Sequence, residues 1–195
     1  MSNDAKNVAA GKPKVGGALY WAPAGTTLPT DASTALDAAF KCLGYVNEDG
    51  FKNSTEHDSE DIYAWGGDKV LTLENKTNDT FSYVLIECMN EDVLKHVYGS
   101  GNVTVTAGDA TATPPTPKKI AIDVASRPEP EEGVFVAEIV LRKGIKRIVV
   151  PKGAVKEVGE IDYIDADTIG YETTLDALPV TENGKSVYHH EYIEC

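Results

Sequence analysis

Residues 17–50, GALYWAPAGTTLPTDASTALDAAFKCLGYVNEDG, constrain the fold more than any other stretch of the chain. They open as a strand-like run, Ala18 to Ala22, and break into a small-residue loop carrying Pro23, Gly25 and Pro29. A second strand-like run follows from Cys42 to Val46. An acidic turn, Asn47-Glu48-Asp49-Gly50, closes the stretch. It holds no nucleophile with a base, no metal-ligand cluster and no phosphate-cradling loop. A sequence of this kind specifies an irregular shape rather than a reaction.

The rest of the chain agrees with a β-rich protein. Strand signals recur at 61–65, 69–73, 80–86, 102–106, 119–125, 134–142, 145–150, 157–164, 169–175 and 187–193. Tyr63 and Trp65 share one strand face, as do Tyr83 and Leu85. Arg142-Lys143-Gly144, Pro151-Lys152-Gly153 and Asp165-Ala166-Asp167 read as turns. One segment, 90–98, predicts a helix. Asn90 is its cap, and Glu91 and Asp92 lie at the positive end of the dipole. Lys95 and His96 lie nearer the negative end, with Gly99 at the left-handed C′ position. Val93, Leu94, Val97 and Tyr98 form its packing stripe. The 195 residues suffice for one sizeable core, or for two very small ones.

A net charge of −13 excludes a phosphate-wrapping surface and an anionic membrane surface, both of which need clustered cations. Residues 1–14 carry no apolar core of a secretory signal, and no stretch is long enough for a membrane span. Cys42, Cys88 and Cys195 are an odd, widely spaced set that fits a reduced compartment.

The residues that invite a chemical reading have plainer ones. Glu160, Asp162, Asp165 and Asp167 lack the spacing of a calcium loop and read as a solvated acidic turn. His189 and His190, adjacent on a strand, point to opposite faces and do not share a metal. Cys88 and His96 lack the third group that a nucleophile pair needs. No cofactor, metal or catalytic residue is expected. Charge is segregated, however. Arg142, Lys143, Lys146, Arg147, Lys152 and Lys156 form a basic run. Glu48, Asp49, Glu56, Asp58, Glu60 and Asp61 form an acidic one, with further acids over 157–176. Two solvated faces account for such runs. A head-to-tail contact between copies, acidic edge against basic edge, accounts for them too.

Several shape motifs occur in one order: KVGGA at 14–18, APAGTTLPTD at 22–31, LGYVNEDG at 43–50, AWGGD at 64–68, the strand-then-helix segment 81–97, KRIVVP at 146–151 and IGYE at 169–172. In these the chain resembles the major tail tube proteins of long-tailed, siphovirus-type bacteriophages. The resemblance implies a mainly β, sandwich- or barrel-like tail tube fold with one short packed helix. It implies a flexible arm over 1–14, a tube domain over 15–178 and a carboxy-terminal arm or last strand over 179–195, with no added immunoglobulin-like domain. Within the tube domain, 47–61 is expected as a long inter-ring loop and 107–133 as a Pro-rich extended region. The implied role is a virion subunit made in the bacterial cytoplasm, with no membrane partner. It stacks as hexameric rings around a tape measure protein, between tail terminator and tail tip proteins, and DNA passes through it without specific binding. Two other classes compete. A monomeric β-sandwich that binds glycans would present Tyr20 and Trp21, or Tyr63 and Trp65, as an aromatic platform. A hydrolase with paired carboxylates has only the abundance of Asp and Glu in its favour.

Overall fold

The computed structural model describes residues 3–124 and 130–195. The end of the expected extended region, 125–129, and the first two residues of the arm lie outside the described residues. In chain order the strands are β1 (Lys12–Pro13), β2 (Leu19–Pro23), β3 (Lys41–Cys42), β4 (Lys52–Tyr63) and β5 (Lys69–Leu85). Helix α1 (Glu91–Tyr98) follows, then β6 (Val103–Thr106) and β7 (Lys119–Ile122). The chain ends with β8 (Glu132–Leu141), β9 (Gly144–Val158), β10 (Tyr171–Ala177), β11 (Val180–Glu182), β12 (Lys185–Val187) and β13 (His190–Glu194).

One antiparallel sheet runs β3-β2-β8-β9-β10-β5-β4, with β1 added to β8 and β13 to β9. Strand β9 is long enough to serve two neighbours on one edge: β13 pairs along 145–149 and β10 along 153–158. Two hairpins, β6–β7 and β11–β12, stand apart from this sheet.

Strand β8 carries the continuous run Val134-Phe135-Val136-Ala137, all fully buried, as expected of a strand covered on both faces. Its alternation divides the interior. Phe135 and Ala137 join the main core with Phe81, Tyr83, Leu85, Leu175 and the helix residues Val93, Leu94 and Val97. Val134 and Val136 join Ala22, Phe40 and Val149 in a second core, roofed by Leu28, Leu36 and Ala39 from the irregular segment 24–40. The Pro/Gly loop that interrupts the first motif is thus a lid over the back of the sheet.

Helix α1 forms as its sequence predicts. Asn90 Oδ1 accepts from the Asp92 amide at 3.0 Å, and the Gly99 amide donates to Lys95 O at 2.8 Å. Gly99 has a positive φ of 90° but a ψ of 142°, so the chain leaves in an extended path instead of the expected left-handed turn. The buried stripe also includes His96, which a reading of the apolar residues alone omits.

The structure corrects several boundaries. The run from Cys42 to Val46 is a strand only at Lys41–Cys42, with a single bridge from Val46 to Leu85. The turn expected at Pro151-Lys152-Gly153 lies inside β9. There the register jumps between Gly133 and Phe135, so Pro151 and Lys152 oppose Val134 alone. A bulge is one of the few places where a sheet tolerates proline, which explains the turn-like composition. The strand expected over 157–164 stops at Val158. That over 187–193 is interrupted at Tyr188 and His189. Segment 47–61 is not a long loop: from Lys52 onward it is strand β4, paired with β5 over its whole length. Residues 12–13 of the arm pair with Val140 and Ile139 of their own chain.

Candidate assembly surfaces

The sheet ends in an arm. Strand β5 alternates buried and half-buried from Asp79 to Leu85, where it lies over the main core, but from Lys69 to Lys76 it is exposed throughout. All of β4 is exposed except the half-buried Asp61. Beyond Asp79 the two strands therefore project as a hairpin with both faces in solvent. At ~3.3 Å per residue, the twelve residues of β4 span roughly 40 Å.

Pairing sorts the arm's side chains. Register shifts between Asp58 and Ser59, where Asn75 is left unpaired, and again between Ile62 and Tyr63. One face carries Glu56, Asp58, Glu60 and Ile62, with Leu73 opposite Glu60 and Leu71 opposite Ile62. The other carries His57, Asp61, Thr72 and Glu74, tied by His57–Glu74 at 3.0 Å and by the Thr72 hydroxyl donating to Asp61 at 2.8 Å. Lys69 and then Thr72 hold the Asp61 carboxyl below its ordinary range. At the tip, Tyr63 is exposed and Trp65 fully so, in a turn rather than on a shared strand face.

A buried carboxylate fixes the arm's base. Asp79 accepts from Asn53 Nδ2 and Thr55 Oγ1, both at 2.8 Å, and its other oxygen meets His189 Nδ1 at 2.5 Å. His190 instead reaches Glu182 at 3.3 Å, so the two histidines diverge as their spacing predicts. His96 Nε2 lies 2.7 Å from the Tyr83 hydroxyl, which burial pushes to a high pKa. No group of three or more metal-binding side chains occurs among the described residues. Nor is any described helix long and apolar enough to cross a membrane.

The basic run disperses on folding. Arg142 and Lys143 stand exposed in the β8–β9 turn. Lys146 is held by Glu191 at 2.7 Å and Lys152 by Glu132 at 3.0 Å, while Lys156 lies 4.0 Å from Asp176. Arg147 is not a surface residue at all, being 1% exposed. It lies opposite Glu138 in the β8–β9 register and pairs with its carboxylate. Its remaining donors reach Asp31 O and Thr34 O at 2.8 Å each, and Lys14 meets the other Glu138 oxygen at 2.5 Å. The Asp31 carboxyl, lowered chiefly by the Thr34 hydroxyl and then the Thr34 amide, turns the lid back on itself. This cluster secures the lid and the amino-terminal arm to the sheet. It removes Arg147 from any contact between copies.

Glu48 and Asp49 remain exposed, on the wall of a cavity of about 940 Å³. Residues 11–19 form another wall, and the β8 residues Ala137, Glu138 and Ile139 complete it. The cavity lies at the root of the projecting hairpin, since Gly50 and Phe51, which lead into β4, also line it.

A projecting hairpin with an open cavity at its root has the form of a part made to meet other parts. Family comparison agrees: a family model described as phage tail tube protein matches residues 1–189. This chain belongs to that family. No curated protein matches it in sequence. As a tail tube protein it is a structural component of the phage tail, not an enzyme, and its fold is mainly β with antiparallel sheets and one short α-helix. Tail tube proteins act by assembling with copies of themselves into a tube. The long exposed hairpin and the open cavity are candidate surfaces for such contacts.

Proposed function

We propose that this chain is the major tail tube subunit of a siphovirus-type tail, closing into hexameric rings that stack into a hollow tube around a tape measure protein. Terminator and tip proteins bound the tube, and DNA leaves through it without specific binding. The observation that carries this reading is the β4–β5 hairpin, bare on both faces over most of β4. A lone two-stranded hairpin in water is marginal, and such an element is stabilised when a neighbour covers it. Glu56, Asp58 and Glu60 share one face, net acidic even with Lys76 opposite Asp58, and suit the exposed Arg142 and Lys143 of an adjacent ring. Of the other charged residues in the sequence-based stacking set, Lys146 and Lys152 neutralise their own chain's acids first. The net charge of −13 keeps the transiting phosphate backbone from adhering.

Negative-stain electron microscopy of the concentrated protein, alone and with a tail-tip initiator, tests the reading. Stacked rings of uniform diameter are expected. Compact monomers under both conditions, with no such rings in the virion, overturn it.

A further inference from the structure

We infer that the amino-terminal strap, residues 11–18, and the lid, residues 24–40, form one coupled latch: drawing the strap off the sheet loosens the lid and uncovers the second core. The coupling runs through the single carboxylate of Glu138, which serves both segments. Its Oε2 takes Lys14 of the strap at 2.5 Å. Its Oε1 takes Arg147 Nε at 3.1 Å and Arg147 Nη2 as well. Because the lysine occupies one oxygen, the guanidinium lies against the other alone. Its outward donors are thereby turned to the lid, Nη1 to Asp31 O and Nη2 to Thr34 O, each at 2.8 Å. The Asp31 carboxylate, 3.6 Å from Nη1, completes the hold.

Arg147 and Glu138 are each 1% exposed, so neither charge can turn to water when a partner leaves. With Lys14 withdrawn, Oε2 is a buried anionic acceptor that has lost its donor. The guanidinium is the group at hand to satisfy it, since Nε and Nη2 form the fork that a carboxylate receives through both oxygens. Turning into that bidentate pairing draws Nη2 from Thr34 O and Nη1 from Asp31 O. The lid thus loses donors although none of its own bonds goes to Lys14.

The strap is held lightly enough for such a withdrawal. Strand β1 contributes two paired residues, one of them a proline with no amide to donate, and residues 7–16 are exposed throughout. The lid keeps a separate tether: Glu194 of β13 accepts from the Ala32 amide at 3.1 Å and the Ser33 hydroxyl at 3.2 Å. It therefore loosens about that point instead of detaching. Beneath it lie Ala22, Val134, Val136 and Val149, roofed in the closed state by Leu28, Leu36 and Ala39. A partner that captures the strap also frees this apolar surface, so one binding event readies a second. The latch is a property of the single chain and stands or falls whether or not tubes form.

Amide hydrogen exchange of the dilute full-length protein, read by mass spectrometry, tests the coupling. Lys14→Met keeps the aliphatic stem and removes the donor. It is expected to speed exchange across 31–36 by about tenfold, the loss of a charge-assisted hydrogen bond, while 81–85 in the main core keep their rate. Unchanged exchange in the lid overturns the inference. An equal rise at 81–85 overturns it too, because the effect is then general destabilisation. In an Asp31→Ala background the lid has already lost its turn bonds to the Ser33 and Thr34 amides. There Lys14→Met is expected to add less than about twofold. A full tenfold increment in that background also defeats the latch, since strap and lid would then act independently.

Discussion

Strands β8 and β4 belong to the same sheet and have opposite surroundings. From Val134 to Ala137, β8 is covered on both faces, by the main core on one side and by the lid on the other. Strand β4 is bare on both. The first is stabilised by apolar burial, at ~25 cal/mol per Å² removed from water. The second is held by its ladder to β5 and by exposed polar pairs such as His57–Glu74, each contributing little. A protein that keeps both in one sheet divides its labour. One end makes the monomer stable, and the other adds little to it.

Substitutions can break that division or sharpen it. The largest effect is expected at the buried pair. Glu138→Ala removes the buried carboxylate from Arg147, leaving the guanidinium its Asp31 and Thr34 carbonyls and the Asp31 carboxylate at 3.6 Å, and should lower monomer stability by about 3 kcal/mol in urea titration. Replacing both partners by apolar residues should restore most of that loss. A Glu138→Ala cost under 1 kcal/mol would show that the lid side contributes no more than the arm. An intermediate effect is expected at the helix cap. Asn90→Ala removes the bond to the Asp92 amide and should cost about 1 kcal/mol by the same titration. The smallest is expected at the tip, where Trp65→Ala should change monomer stability by less than about 0.5 kcal/mol. A tip substitution as costly as Glu138→Ala would place the hairpin inside the monomer's cooperative unit and erase the contrast.

The contrast also decides what could be read from sequence. Helix α1 was legible because cap, charges and apolar stripe agree, and β8 because a continuous apolar run can only be interior. Strand β4 was not. Its sequence, KNSTEHDSEDIY, has no period-2 apolar signal, because a strand exposed on both faces has no reason to alternate. The segment therefore reads as a loop, and only its pairing with β5 makes it a strand. Proline in β9 read as a turn because bulges and turns select the same residues. Arg147 read as surface charge through its basic neighbours. Strand parity held the missing clue: Arg147 shares a face with Val149, and its partner Glu138 shares one with Val134 and Val136. A charge in step with buried valines on each of two adjacent strands is a buried pair. The acidic residues of the candidate contact were legible as a run. Their division between the two faces was not, because the i, i+2 parity of Glu56, Asp58 and Glu60 has meaning only once the segment is known to be a strand.

A strand advances by a fixed step per residue, so the β4–β5 arm is also a ruler. If the proposed rings touch through this arm, their axial spacing follows from the residue count of one polar strand. Twelve residues give roughly 40 Å. Because the ruler's faces bury nothing in the monomer, its length can drift without disturbing the core.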